Sequence, residues 1–137
     1  MVKIGEWEFP AGLLYDCHHQ WIAQAGDKIR VGLTAYALEI TGDVLYLALP
    51  SPGAATRAGS GCGSLEAGKW VGQIYAPVTG RVVQTNQALA ARPGLLNQAP
   101  YDNWLFEIEL RQPEEIGRLM TVGQLSGWLT EEMKRDA

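Results

Sequence analysis

The run Ser64–Gly80, Ser-Leu-Glu-Ala-Gly-Lys-Trp-Val-Gly-Gln-Ile-Tyr-Ala-Pro-Val-Thr-Gly, constrains the fold more than any other part of the chain. Residues that alternate as strands do flank a short segment containing Gly68 and Lys69. Two such runs joined through a glycine predict a β-hairpin, with Gly68 supplying the positive φ that a tight turn often demands. Lys69 then stands at the tip. Its ammonium is in water on a rigid mount, which suits a covalently attached carrier group that one protein must install and others must reach. The residues alone fit a second reading as well, a solvated lysine on an ordinary turn.

The rest of the chain predicts a mainly β domain around that hairpin. Sixteen glycines and seven prolines in 137 residues require many turns and therefore short strands. At 47% hydrophobic residues, a chain of this length buries one core. Leu14–Tyr15 and residues 19–25 read as strands, and Ala25-Gly26-Asp27-Lys28 turns the chain into 29–33, where Ile29, Val31 and Leu33 share a face. Thr34 caps a short helix that Gly42 ends. Residues 44–49 are apolar throughout and predict a strand buried on both faces, stopped by Pro50-Ser51-Pro52-Gly53. Strands at 81–84 and 103–110 follow, with a helical turn at 86–91 between them. Pro113 opens a helix whose Glu114 and Glu115 suit its N-terminal dipole. Leu125, Trp128 and Leu129 give a last helix, over 122–134, an apolar face. Residues 1–13, mixed in character and holding Pro10 and Gly12, are expected to lie as an N-terminal extension against a single domain of residues 14–137.

Charge and composition narrow the function. Eleven basic residues against fifteen acidic ones give a net charge of −4, and the basic residues are scattered, so nucleic acid is not an expected partner. The first ten residues lack a signal-peptide core, and the longest apolar run, 44–50, is too short to span a bilayer; a cytoplasmic protein without membrane insertion is expected. Cys17 and Cys62 are too few for a disulfide framework and read as free thiols. Cys17-His18-His19 invites a metal reading, but strand alternation would send neighbouring side chains to opposite faces, so no metal site is expected. No nucleophile elbow, phosphate loop or metal-ligand spacing is present, which argues against an enzyme.

Spacing then separates the two readings of Lys69. Gly53 lies 16 positions before it (69 − 53) and Gly80 lies 11 after it (80 − 69), and this pair of offsets resembles the lipoyl-attachment signature, in which glycines close turns flanking the modified lysine. The order Gly32-Leu33-Thr34-Ala35-Tyr36-Ala37, Gly42-Asp43-Val44, Leu49-Pro50, Glu66, Lys69, Tyr75-Ala76-Pro77-Val78-Thr79-Gly80, Asn86, Leu89, Pro93, Asn97, Pro100-Tyr101 and Trp104-Leu105 resembles the H-protein of the glycine cleavage system from about Leu14 onward.

The resemblance implies a lipoyl/biotinyl-type barrel-sandwich hybrid with a short internal helix and C-terminal helices, forming a lipoyl-carrier domain over residues 14–137. It also implies lipoate in amide linkage to Lys69, and Glu66 as a recognition residue for a lipoate ligase or lipoyl-transfer enzyme. Such a chain is a carrier and no enzyme, because the bound group supplies the chemistry. Biotin is the nearest rival in this fold, but its lysine usually lies between methionines, whereas Lys69 lies between Gly68 and Trp70.

The departures from the family pattern point elsewhere. Where ordinary H-proteins read Glu-Ser-Val-Lys-Ala, this chain reads Glu66-Ala67-Gly68-Lys69-Trp70-Val71-Gly72, with Cys62 upstream. That variant is similar to the lipoate-binding proteins of heterodisulfide-reductase-like sulfur oxidation. It implies an arm that carries sulfur between a heterodisulfide-reductase-like complex and sulfur-transfer proteins, with Trp70 in the arm mount or its recognition and Cys62 as an accessory thiol. Two alternatives stand beside it: a glycine cleavage H-protein carrying an aminomethyl group between glycine cleavage enzymes, and an interaction domain without an arm. Trp70 as hairpin packing and Cys62 as a small buried apolar residue also stay open.

Overall fold

The computed structural model describes residues 1–136. Two short strands, β1 (Val2–Ile4) and β2 (Trp7–Phe9), pair as a hairpin. There follow β3 (Leu14–Tyr15), β4 (Gln20–Ala25), β5 (Lys28–Leu33), helix α1 (Ala35–Thr41), β6 (Val44–Ala48), β7 (Ala55–Thr56), β8 (Gly61–Ala67), β9 (Val71–Tyr75) and β10 (Gly80–Thr85). Helices α2 (Gln87–Ala91) and α3 (Leu95–Gln98), strand β11 (Phe106–Leu110), a 3-10 helix at Pro113–Arg118 and helix α4 (Val122–Asp136) complete the chain. The architecture is mainly β with a short helix inside and helices at the end, as expected.

A six-stranded sheet of order β3-β4-β5-β11-β10-β7 packs on a three-stranded sheet of order β6-β8-β9. The alternating residues Ile22, Ile29, Val31, Phe106 and Ile108 from the first and Leu47, Leu65 and Ile74 from the second are buried in one cluster. Period-two burial on both sheets produces this core. Residues 1–13 do more than lie alongside it. Ile4 and Phe9 share a second buried cluster with Tyr15, Trp21, Tyr36, Leu125 and Leu129, so the β1–β2 hairpin and α4 bury each other's apolar faces.

Three local expectations are corrected. Strand β6 is not buried on both faces: Leu45 is 67% and Tyr46 59% exposed. The register slips between Val44↔Ala67 and Tyr46↔Glu66, so two residues of β6 oppose one of β8, and this bulge turns two successive apolar side chains outward. His19, expected to begin a strand, lies with Cys17 and His18 in a turn, and β4 starts at Gln20. Asp16 Oδ1 accepts from the His18 and Gln20 N–H groups at 2.9 and 3.0 Å, and His19 takes a φ of 62°. The helix at Pro113 is a 3-10 helix, and Glu115 is buried, accepting from Thr79 N–H and Oγ1 at 2.7 and 2.8 Å.

The short helix shows why local sequence suffices at α1. Thr34 Oγ1 accepts from Ala37 N–H at 3.1 Å, and Gly42, at φ 81°, donates its N–H to Leu38 O at 2.9 Å. An N-cap hydroxyl and a left-handed glycine satisfy backbone groups that the helix leaves open at each end. The chain therefore leaves α1 at a fixed angle and runs directly beneath the β8–β9 turn.

Candidate functional site

Strands β8 and β9 form the expected hairpin, with Glu66 opposite Val71 and the Ala67 N–H bonded to Trp70 O at 2.8 Å. Lys69 is exposed at its tip, and among the described residues its ammonium makes no ion pair. Gly68, however, lies outside the left-handed region, and a Cβ on it would enter open space. The expectation that Gly68 supplies a positive φ is wrong. The tip takes its shape from outside: Gly68 N–H donates to Asp43 O and Lys69 N–H to Thr41 O, each at 3.0 Å.

The glycine that matters to the lysine is Gly42. A Cβ placed there would stand 3.3 Å from Lys69 Cγ and 3.5 Å from Cδ, so the aliphatic stem of Lys69 lies along its bare backbone. Asn97 holds this connection in place, accepting from Val44 N–H at 2.9 Å and donating from Nδ2 to Gly42 O at 3.0 Å. The helix-ending pattern reveals Gly42 as a cap. Its contact with a residue 27 positions later (69 − 42) has no local signal.

Trp70 turns back onto its own strand. Its ring occupies the place that a side chain on Gly72 would fill, and it is 42% exposed. Trp70 thereby borders a cavity of about 380 Å³ with Cys17, His18, His19, Leu65, Ile74 and Glu132 among its walls. The walls are firmly set. His18 stacks on Tyr75 at 3.8 Å between ring centroids, and His19 Nε2 lies 3.0 Å from Glu132 Oε1. Gln20 is buried and bridges the sheets, donating to Asp16 Oδ2 (2.8 Å) and Tyr75 O (2.9 Å) while accepting from Tyr75 N–H (2.9 Å). Burial pushes the Asp16 carboxyl up, against the pull of the Gln20 and His18 N–H groups. Burial and the charge of Asp16 both raise the Cys17 thiol.

The remaining predicted residues fall in different places. Glu66 is on the exposed face of β8, between Tyr46 and Val71. Cys62 is near the other end of β8, lining a separate pocket with Pro50, Thr56 and Arg57, and burial pushes its thiol up to about 11. Gly53 does close a turn, at φ 94°, with its N–H on Val82 O at 2.7 Å. Gly80 closes none. It opens β10, where a Cβ would collide with Glu109 O of β11. Gly53 and Gly80 thus frame the far end of the fold and do not touch the tip.

An exposed, unpaired amine on a braced turn suits amide attachment of an arm: acylation removes one charge and disturbs no partner. The sequence profile of the glycine cleavage H-protein family matches residues 13–132. A glycine cleavage system H protein of Micrococcus luteus is 46% identical over 114 residues, covering 81% of this chain and 89% of the relative. That of Bacillus licheniformis is 36% identical over 124 residues, covering 90% and 98%. The crystal structure of a glycine cleavage system H protein from Mycobacterium marinum superposes with a TM-score of 0.81 at 31% identity, covering 89% of this chain and 99% of that one. The chain belongs to the glycine cleavage H-protein family, whose members are non-catalytic carriers holding lipoate covalently on a lysine.

Proposed function

We propose that Lys69 carries the lipoate and that the arm conveys an aminomethyl group between the enzymes of glycine cleavage, in the cytoplasm. The observation that supports this reading most is the hairpin tip: an exposed lysine without an ion pair, its backbone N–H fixed on Thr41 and its stem along Gly42, in a chain of a lipoyl-carrier family. When bound, lipoate supplies a dithiolane whose sulfurs exchange with thiols or accept a transferred group. The chain's residues do the positioning. Thr41 and Asp43 carbonyls hold the tip, Asn97 holds their connection, and the lipoate ligase or lipoyl-transfer enzyme meets Nζ in open solvent.

The sulfur-oxidation reading finds no support in the matched relatives, which bear glycine cleavage names. Cys62 weakens it further: it lies far along β8 from the tip, with a thiol near 11 that is protonated at neutral pH. Sulfur transfer stands as a second reading only through a different thiol, Cys17, which shares a cavity wall with Trp70, although burial and Asp16 raise this thiol too.

Lipoylated protein incubated with the glycine-cleaving decarboxylase and glycine tests the choice. The expected result is an aminomethyl mass on the wild type and none on Lys69→Ala. Sulfur uptake from a persulfidated donor protein, without aminomethyl loading, would overturn the proposal in favour of the second reading. A chain that accepts no arm at all would restore the interaction-domain alternative.

A further inference from the structure

Large apolar side chains stand in solvent around Lys69. Val71 is 71%, Leu45 67%, Tyr46 59%, Trp70 42% and Ile40 41% exposed, and with Met1 these are the large hydrophobic residues that the described structure leaves exposed. Tyr46, Glu66 and Val71 are successive cross-strand partners on β6, β8 and β9. They form one row on the outer face of the three-stranded sheet, just behind the tip. The bulge adds Leu45 to the end of this row. Glu39, Asp43 and Glu66 are exposed around it, and none is in an ion pair. Lys69 is the one basic residue in segments 39–49 and 64–73, so acylation leaves these segments with acidic charge only.

An exposed apolar patch of this kind marks an interaction site, and its charge selects a partner with an apolar cleft edged by Lys or Arg. Distance selects which partner. An enzyme acting on the far end of an attached arm has up to a full arm's length between its reaction centre and Nζ, and so needs no contact with the tip. An enzyme that builds the amide must bring its reaction centre to Nζ, and the row behind the tip is then within its contact surface. In that step Nζ forms a bond to the lipoyl carbonyl carbon of an acyl-adenylate, the carbon–oxygen bond to AMP breaks with its electron pair leaving on AMP, and two protons of the ammonium pass to solvent.

We propose that the Leu45–Tyr46–Val71 row, with Glu66 at its centre and Asp43 beside it, is the docking surface for the enzyme that acylates Lys69. This inference rests on Lys69 being the modified residue.

Initial rates of acylation with a purified bacterial lipoate–protein ligase, lipoate and ATP test it. The Leu45→Ser/Tyr46→Ser double variant is expected to raise KM for the carrier by about tenfold, with kcat within about twofold, since truncating docking anchors weakens association. Raising NaCl from about 50 to about 300 mM should raise the wild-type KM, and should do so less for Asp43→Asn/Glu66→Gln, because salt screens exposed charges. Tyr46→Lys, which keeps a long side chain and adds a repelling charge, should raise KM even if the double variant melts early. An unchanged KM in folded variants still acylated at Lys69 refutes the docking surface alone. So does a wild-type dimer that the double variant abolishes, for the row would then bind a second copy of the chain. Wild-type protein acylated on another lysine refutes this inference and the proposed function together.

Discussion

Two hairpins carry a lysine at or beside their turn, and they are built differently. The β4–β5 hairpin turns through Gly26 and Asp27, with Gly26 at φ 64° and Lys28 opposite Ala25. A left-handed glycine gives it a local turn geometry. Lys28 lies beside Glu109 on a charged sheet face, where Arg30 and Glu107 pair at 3.1 Å. The β8–β9 hairpin turns through Gly68 and Lys69 without a left-handed residue and leans on carbonyls of Thr41 and Asp43. Segments 39–49 and 64–73 around it are apolar and acidic, and hold no basic residue besides Lys69. A lysine beside a turn is therefore no site by position alone. What distinguishes Lys69 is a tip held by the rest of the fold and a surface that a partner protein can cover.

The largest expected effect separates the two lysines. Lys69→Ala should abolish lipoyl incorporation, read by intact mass after reaction with a ligase, while Lys28→Ala leaves it unchanged. Both should melt within about 0.5 kcal/mol of the wild type, as exposed substitutions do. Next comes the pair of left-handed glycines. Gly42→Val and Gly26→Val should each lose on the order of 2 kcal/mol in urea unfolding, because a β-branched residue is strained at positive φ. Modification should slow only for Gly42→Val, whose side chain also crowds Lys69. Equal modification rates in the two variants would break the comparison.

Asn97→Ala probes the brace without touching the tip. It removes two hydrogen bonds to the Gly42–Val44 connection and should destabilise by about 1–2 kcal/mol, with slower acylation. Gln24→Ala, which removes an exposed bond to Gly26 O, should stay within about 0.5 kcal/mol and leave acylation alone. The smallest effect belongs to Gly68→Ala. With no left-handed φ and open space for a Cβ, it should shift stability by no more than about 0.5 kcal/mol. A larger loss would show that the turn needs glycine after all.

Local rules made much of this legible. Period-two alternation placed the strands around Ile22, Ile29, Ile74 and Ile108, and a hydroxyl before the run with a glycine after it placed α1 within a residue at each end. The tip was legible as a hairpin, but its mechanism was not, because Gly68 looks like a turn glycine from its neighbours while its hydrogen bond runs to Asp43. The same gap explains β6, where an apolar run hides a bulge that only pairing with β8 creates. Gly80 stands at the expected offset for a different reason, close approach of β11. Residues 2–9 make two strands too short to show a period, and their burial depends on Leu125 and Leu129, far along the chain. Trp70 and Gly72 are both plain to read, but that one fills the space of the other is a fact of side-chain direction.

We infer that this fold presents Lys69, and no other lysine, for attachment. Peptide mass mapping of the wild-type chain produced with a lipoate ligase and lipoate tests it most directly. The lipoyl mass should fall on the peptide containing Lys69, with Lys3, Lys28 and Lys134 unmodified. Lipoate on Lys28, the lysine of the other hairpin, or on no residue at all would show that the braced tip does not select the attachment site.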